Sequence, residues 1–368
     1  MSRISEIHLY SHELPIVGPP YKMALQELTS VTTILVEAVT ENGLRGYGET
    51  CPLGPAYQPA HAGGAVAAIK QMAPHLIGQD ALAIGVAGHR MDQALAGHGY
   101  AKAAVDMALW DLAGKQLGVP VSTLLGGVHQ AHVPSYYAIS VASPDEVARQ
   151  VKDKQAQGFR RLQIKVGGRE LAQDIAVAHR ACEAALAETK IVLDANRSLT
   201  GADAIRLSQA CRDLPLFLEQ PCDTLEEHLA IKPSLCHPLI LDECAEDLGA
   251  VSRAIHAGIA DGFGMKLTRV GGISAMRAVR DLCQQWRRPI SCDDSWGGDL
   301  VAAACAHVAA TVRPQLLEGA WIAAPYIAQH YDTQNPVQIM DGQIKVPTGP
   351  GLGVVPDTGA WSRLASFG

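Results

Sequence analysis

Residues 261–272, "DGFGMKLTRVGG", read as a short apolar strand running into a glycine turn and then a helix. Lys266 stands inside that strand between Met265 and Leu267, and lysine is among the residues least often buried without a partner. The same grammar recurs on both sides of it. From about residue 130, short β-rich runs alternate with longer stretches of helical character: "VPSYYAIS", "RLQIKVGG", "KIVLDANRS", "LFLEQP", "PLILDEC", "GFGMKL", "PISCDDSWGG" and "LLEGAW". Helical periodicity between them is clearest over 273–286, which puts Ile273, Met276, Val279, Leu282 and Trp286 on one side. Repeated strand–helix units specify a parallel sheet, and so many of them fit a closed α/β barrel better than an open sheet.

The ends of these runs carry the ionisable groups. Lys165, Asp194, Glu219, Asp242, Lys266 and the pair Asp293–Asp294 close six consecutive runs, at intervals of 23 to 29 residues. One strand–helix unit of a barrel takes about 30 residues, so the six groups arrive at the C-terminal end of the barrel, where such folds build their sites. A lone acid at a strand end is more often a helix cap, and a lone strand lysine often reaches out to solvent. Consecutive strands with matching spacing are harder to explain that way. Three carboxylates from adjacent strands make an oxygen-rich site suited to Mg²⁺. A lysine beside a divalent cation and a second lysine is expected to have a depressed pKa, as a general base needs. Metal and opposed lysines together imply proton abstraction α to a carboxylate, with Mg²⁺ stabilising the enediolate. In "LDE" the third ligand is Asp242 or Glu243, and strand alternation favours Asp242 and turns Glu243 to the other face.

Ahead of the barrel, "TTILVEAVTENGLRGYGET" gives two strands around Asn42–Gly43, a hairpin signal. The Pro/Gly-rich loop 51–64 follows, then "YAKAAVDMALWDLAGKQLGVP", a helix ended by Gly118 and Pro120. The net charge of −7 without a basic block gives no footprint for nucleic acid, and no apolar run reaches the roughly 18 residues of a membrane span. Nine cysteines without a C-x-x-C pair, and no signal-like start, fit a reduced, cytoplasmic protein.

These motifs, "QIKVGG", "LDANR", "LEQP", "LDE", "GMKLTRVGG" and "CDDSWGGD", resemble the enolase superfamily in its muconate-lactonising-enzyme-like branch. The resemblance implies a (β/α)7β modified TIM barrel over 126–322. An α+β capping domain over 1–125 would be completed by the C-terminal segment 323–368. It further implies Asp194, Glu219 and Asp242 as Mg²⁺ ligands, Lys165 and Lys266 as the acid/base pair, and a homo-oligomer acting on a small-molecule substrate. The branch often has Lys-x-Lys on the second barrel strand; here the first position is Gln163, which alters the group expected to meet the substrate carboxylate.

The finer pattern "TCPLGPAYQPAHAGG", "GHGYAKAAVD" and "CDDSWGGD" is similar to the 4-hydroxyproline betaine 2-epimerases, with the cis-3-hydroxy-L-proline dehydratases as the neighbouring group. Both act on cyclic amino acids. Epimerisation at the α-carbon of a betaine is thus the first expectation and dehydration the second. Tyr57, Trp296 and Trp321 are candidates for an aromatic surface that binds a quaternary ammonium by cation–π attraction, with Gln163, Asp293 and Asp294 beside it. Loops near Tyr21 and over 51–64 are the lids that the resemblance implies. A Schiff-base aldolase using a barrel lysine is the competing class, and it leaves the three carboxylates without a role.

Overall fold

The hairpin around Asn42–Gly43 begins a four-stranded antiparallel sheet. Gly43 takes φ +80° and its N–H donates to Thr40 O at 2.8 Å, turning β2 (Ser30–Thr40) into β3 (Arg45–Thr50). The central strand β1 (Ile4–Pro15) pairs with β2 on one side and with the chain's last strand, Ser362–Phe367, on the other. The structure, a computed structural model, describes residues 2–22, 27–55 and 57–368. Helices α1 (Ala62–Met72), α2 (Ile84–Ala94) and α3 (Gly99–Leu117) complete this capping layer.

Helix α3 ends at Gly118, whose φ of +68° supplies a left-handed cap, and Pro120 follows. It has no polar face for most of its length, because β3 covers one side and the barrel the other. The glycines of "RGYGET" make that approach possible. A Cβ on Gly48 would lie 1.9 Å from the Ala104 carbonyl oxygen.

The barrel strands are β4 (Tyr137–Ile139), β5 (Arg161–Lys165), β6 (Lys190–Asp194), β7 (Leu216–Glu219), β8 (Leu239–Leu241), β9 (Gly262–Lys266), β10 (Ile290–Asp293) and β11 (Leu317–Gly319). All eight are parallel and neighbour one another in sequence order. A parallel bridge between Ser135 and Ala320 brings the first back to the last, helped by the Ser135 hydroxyl donating to Ala320 O at 2.8 Å. Seven main helices connect them: α4 (Pro144–Ala156), α5 (Leu171–Ala184), α6 (Gly201–Ala210), α7 (Leu225–Ile231), α8 (Leu248–His256), α9 (Ile273–Gln285) and α10 (Asp299–Ala310). The fold is therefore a (β/α)7β barrel with an α+β cap that the chain's end rejoins as β12 (Ser362–Phe367).

The helix expected over 273–286 is α9, and Ile273, Met276 and Val279 are buried as its period requires. Trp286 is not on that buried side. It is the C-cap residue, 48% exposed, and its ring packs on His256 instead. Among the described residues all nine cysteines are free and no helix is long and apolar enough to cross a membrane.

Candidate active site

Parallel pairing fixes the height at which each strand-end residue sits. Lys165 is in register with Asp194, Asp194 with Glu219, and Lys266 with Asp293. Glu219 is in register with Ile240, so Asp242 lies two residues further along, just past the end of β8. Lys165 on β5 and Lys266 on β9 are four strands apart in a closed ring of eight, which puts them on opposite sides of the barrel mouth with the three acids between.

Each acid is turned toward a basic or amide partner. Lys165 donates to Asp194. The Lys266 ammonium lies 3.3 Å from Asp242 and 3.5 Å from Asp293. The Gln163 amide donates to Glu219 at 3.0 Å, and Arg161 reaches the other oxygen at 3.5 Å. Arg161, Gln163 and Lys165 are alternate residues of one strand and so share its inner face. Two further residues, Arg269 and Asn196, complete the network and had no signal beyond their place in the motifs. Arg269 donates to Asp242 at 2.6 Å. Asn196 donates from its backbone to Asp194 at 2.9 Å and from its side chain to Glu243 at 3.0 Å. Asn196 follows two residues after Asp194, with φ +42°, and this turn brings its amide back over the acid.

Glu243 corrects the alternation argument. It does not face away: it is 8% exposed and shares Asn196 with Asp194. Strand β8 ends at Leu241, so the two-residue period no longer governs the side chains beyond it.

Burial, with repulsion from Asp194, raises the Glu219 carboxyl to about 7. Burial, with Asp242 and Asp194 close by, raises Glu243 to about 8. Burial would also raise Asp242, but Lys266 and Arg269 outweigh it and hold its carboxyl below the usual range. The lysines are paired with these acids. Burial disfavours their charge, yet Asp194 and Asp242 overrule it and hold Lys165 and Lys266 above the ordinary lysine value. Depression requires a cation to take over those acids, and here the ammonium groups serve as their partners. Among the described residues no three His, Cys, Asp or Glu side chains stand together as a ready cage. The donor set still suits a hard divalent cation: all oxygen, buried, and with negative charge that raises Glu219 and Glu243 rather than being fully neutralised.

Above these groups is a small cavity of about 30 Å³. Lys165, Lys266 and Gln163 line it, and Tyr21, Tyr57, Trp296 and Trp321 form its aromatic wall. Trp296 packs edge-on against Tyr21 at 5.3 Å and Trp321 at 5.6 Å between ring centres. Tyr21 and Tyr57 come from the two expected lids, of which residues 23–26 and Ala56 lie outside the described residues. Asp294 also borders the cavity, fully buried, with Oδ1 unpartnered and burial pushing its pKa far up. Asp293 sits behind the wall, accepting from Ser291 Oγ at 2.6 Å and from the Trp321 backbone N–H at 2.9 Å. The Lys266 ammonium lies 3.5 Å from it.

This arrangement has close counterparts among known proteins. The family model described as "Enolase C-terminal domain-like" matches residues 146–360, and that of the mandelate racemase / muconate lactonizing enzyme N-terminal domain matches residues 6–126. The chain belongs to the enolase superfamily. Within it, the chain is 36% identical to a cis-3-hydroxy-L-proline dehydratase of Roseibium aggregatum, over 96% of each chain. It is 26% identical to an L-Ala-D/L-Glu epimerase of Bacillus subtilis, over 91% of this chain and 92% of the relative. An enolase-superfamily structure from Roseovarius nubinhibens, complexed with magnesium, covers 100% of both chains at a TM-score of 0.95 and 31% identity. Enolase-superfamily enzymes act on small-molecule substrates.

Proposed function

We propose that the chain catalyses Mg²⁺-dependent 1,1-proton transfer at the α-carbon of a cyclic amino-acid betaine, such as proline betaine or 4-hydroxyproline betaine. The observation that carries this reading is the cavity wall of Tyr21, Tyr57, Trp296 and Trp321 above two opposed lysines. A quaternary ammonium has no N–H to donate, so it is recognised by aromatic faces rather than by a hydrogen-bonding pair. A deeply buried carboxyl at Asp294, without a cationic partner at hydrogen-bond distance, adds a polar group to the same wall.

Asp194, Glu219 and Asp242 are the residues that would hold Mg²⁺. When bound, the ion supplies positive charge next to the substrate carboxylate, where proton removal leaves negative charge. With the acids so engaged, Lys165 and Lys266 would be free of them to act as acid and base. One takes the α-proton from its face of the ring and the other delivers a proton to the opposite face. Gln163, held on Glu219, presents an amide to the carboxylate in place of an ammonium. The aromatic wall fixes the ring and excludes water.

The 36% identity to a cis-3-hydroxy-L-proline dehydratase supports a second reading, in which the same abstraction is followed by loss of a β-hydroxyl. One experiment separates them. Enantiopure proline betaine and cis-3-hydroxy-L-proline are incubated separately with enzyme and Mg²⁺ in D₂O and followed by NMR. Deuterated, epimerised betaine supports the first reading, and a dehydrated product supports the second. Absence of α-deuterium exchange across a panel of cyclic amino acids and betaines would remove both.

A further inference from the structure

We infer that Glu49, a capping-domain residue remote in sequence from Trp296, is the positioning residue that sets Trp296 in the substrate cavity. The inference rests on the aromatic wall being the ammonium-binding surface.

Glu49 lies on β3 and is fully buried. Its carboxylate accepts four hydrogen bonds, two of them from the barrel. Gly298 N–H donates at 2.8 Å and Val301 N–H at 3.2 Å, while Tyr331 Oη and Thr33 Oγ1 donate at 2.6 and 2.8 Å. Gly298 is the N-cap of α10 and Val301 is in its first turn, so a carboxylate of another domain caps this helix. No α10 side chain performs that task, because the N-cap is glycine. The negative charge also lies at the positive end of the helix dipole.

The cap controls more than the helix. Trp296 stands two residues before Gly298 with φ +145°, a backbone region that bulky residues avoid. Such a conformation persists only where the surroundings over-determine it, and the loop is held on both sides. Before it, Asp294 N–H donates to Trp321 O at 3.1 Å. After it, Gly298 is fixed by Glu49. The glycines between are required by space: a Cβ on Gly297 would lie 2.5 Å from Val301 Cγ1, and one on Gly298 would lie 2.4 Å from the Tyr331 ring. The capping sheet thus presses this loop into one shape, and in that shape the indole lines the cavity against Tyr21 and Trp321.

The test uses the full chain in Glu49→Ala and Glu49→Gln forms. Glutamine keeps one acceptor oxygen and loses the charge, so it is the milder perturbation. The first readout needs no substrate: the near-ultraviolet circular dichroism of Trp296, assigned from the difference between wild type and Trp296→Phe. Glu49→Ala is expected to lose more than half of that band and Glu49→Gln part of it, with far-ultraviolet spectra unchanged. The second readout is proline betaine epimerisation, where KM is expected to rise about tenfold or more for Glu49→Ala while kcat stays within threefold. Glu49→Gln should fall between Glu49→Ala and wild type. An intact Trp296 band in a folded Glu49→Ala protein overturns the inference. So does an equal loss in kcat and kcat/KM with KM unmoved. If Glu49→Ala does not fold, Glu49→Gln decides by the same two readouts. If wild type leaves proline betaine untouched, the substrate reading fails by itself and the Trp296 band still decides the role of Glu49.

Discussion

Stripping divalent metal from the protein should make its stability fall as pH rises from about 5 to 8, and Mg²⁺ should reverse the fall. The carboxyl of Glu219 stands at about 7 in the folded chain, against an ordinary 4.5, and that of Glu243 at about 8. Both are raised, so the folded state binds more protons than the unfolded chain between these limits. The penalty is absent below pH 4.5, grows through the window and is complete above pH 7 for Glu219 and pH 8 for Glu243. At 1.36 kcal/mol per pH unit the two correspond to roughly 3 and roughly 5 kcal/mol, as orders of magnitude. Other buried acids, such as Asp106 at about 6, tilt the curve in the same direction without touching the site. The difference between curves with and without metal is therefore the quantity to measure. Mg²⁺ displaces the protons, so its affinity should rise up to tenfold per pH unit for each proton released while Glu219 is still protonated. Thermal unfolding with EDTA or with Mg²⁺ at pH 5.5, 6.5, 7.5 and 8.0, with titration calorimetry of Mg²⁺ at each pH, measures both effects. An Mg²⁺-induced gain in Tm as large at pH 5.5 as at pH 8.0, or a pH-independent affinity, would refute the assignment of Glu219 to a cation.

Lys165→Ala and Lys266→Ala should each lower betaine epimerisation about 10³-fold or more, in line with a lost acid/base group. Deuterium exchange with one enantiomer is allowed to survive in either variant, and normal epimerisation by both would end the two-base scheme. Trp321→Leu should weaken binding of proline betaine about tenfold, near 1.4 kcal/mol of cation–π attraction, and weaken proline less, as calorimetry on the two ligands would show. Gly48→Ala should lower stability by about 2 kcal/mol or more, since its Cβ meets the Ala104 carbonyl oxygen at 1.9 Å and the backbone must separate. Denaturant unfolding measures that loss, and an unchanged midpoint would contradict the close packing of β3 on α3.

The barrel was legible because its strands are buried on both faces and read as apolar runs, each closed by an ionisable residue at regular spacing. Periodicity failed at the edges of elements, where it ceases to apply. Trp286 follows the helical period but sits one residue past the end of α9 and turns outward. Glu243 follows the strand period but lies past the end of β8 and turns back to Asn196.

By itself the sequence determined the residue types at the strand ends, hence a closed α/β barrel, an all-oxygen acid cluster and two flanking lysines. Which groups touch was decided by the closed tertiary structure. Strand register pairs Lys165 with Asp194, and ring closure sets Lys266 across from it. The protonation balance was settled there too: opposite charges a few ångströms apart in a dry interior outweigh desolvation, so the lysines stay charged until something else holds the acids. The contact between Glu49 and the loop at Trp296 spans some 250 residues of sequence. No local pattern encodes it, because a hydrogen bond between domains depends on how their surfaces meet.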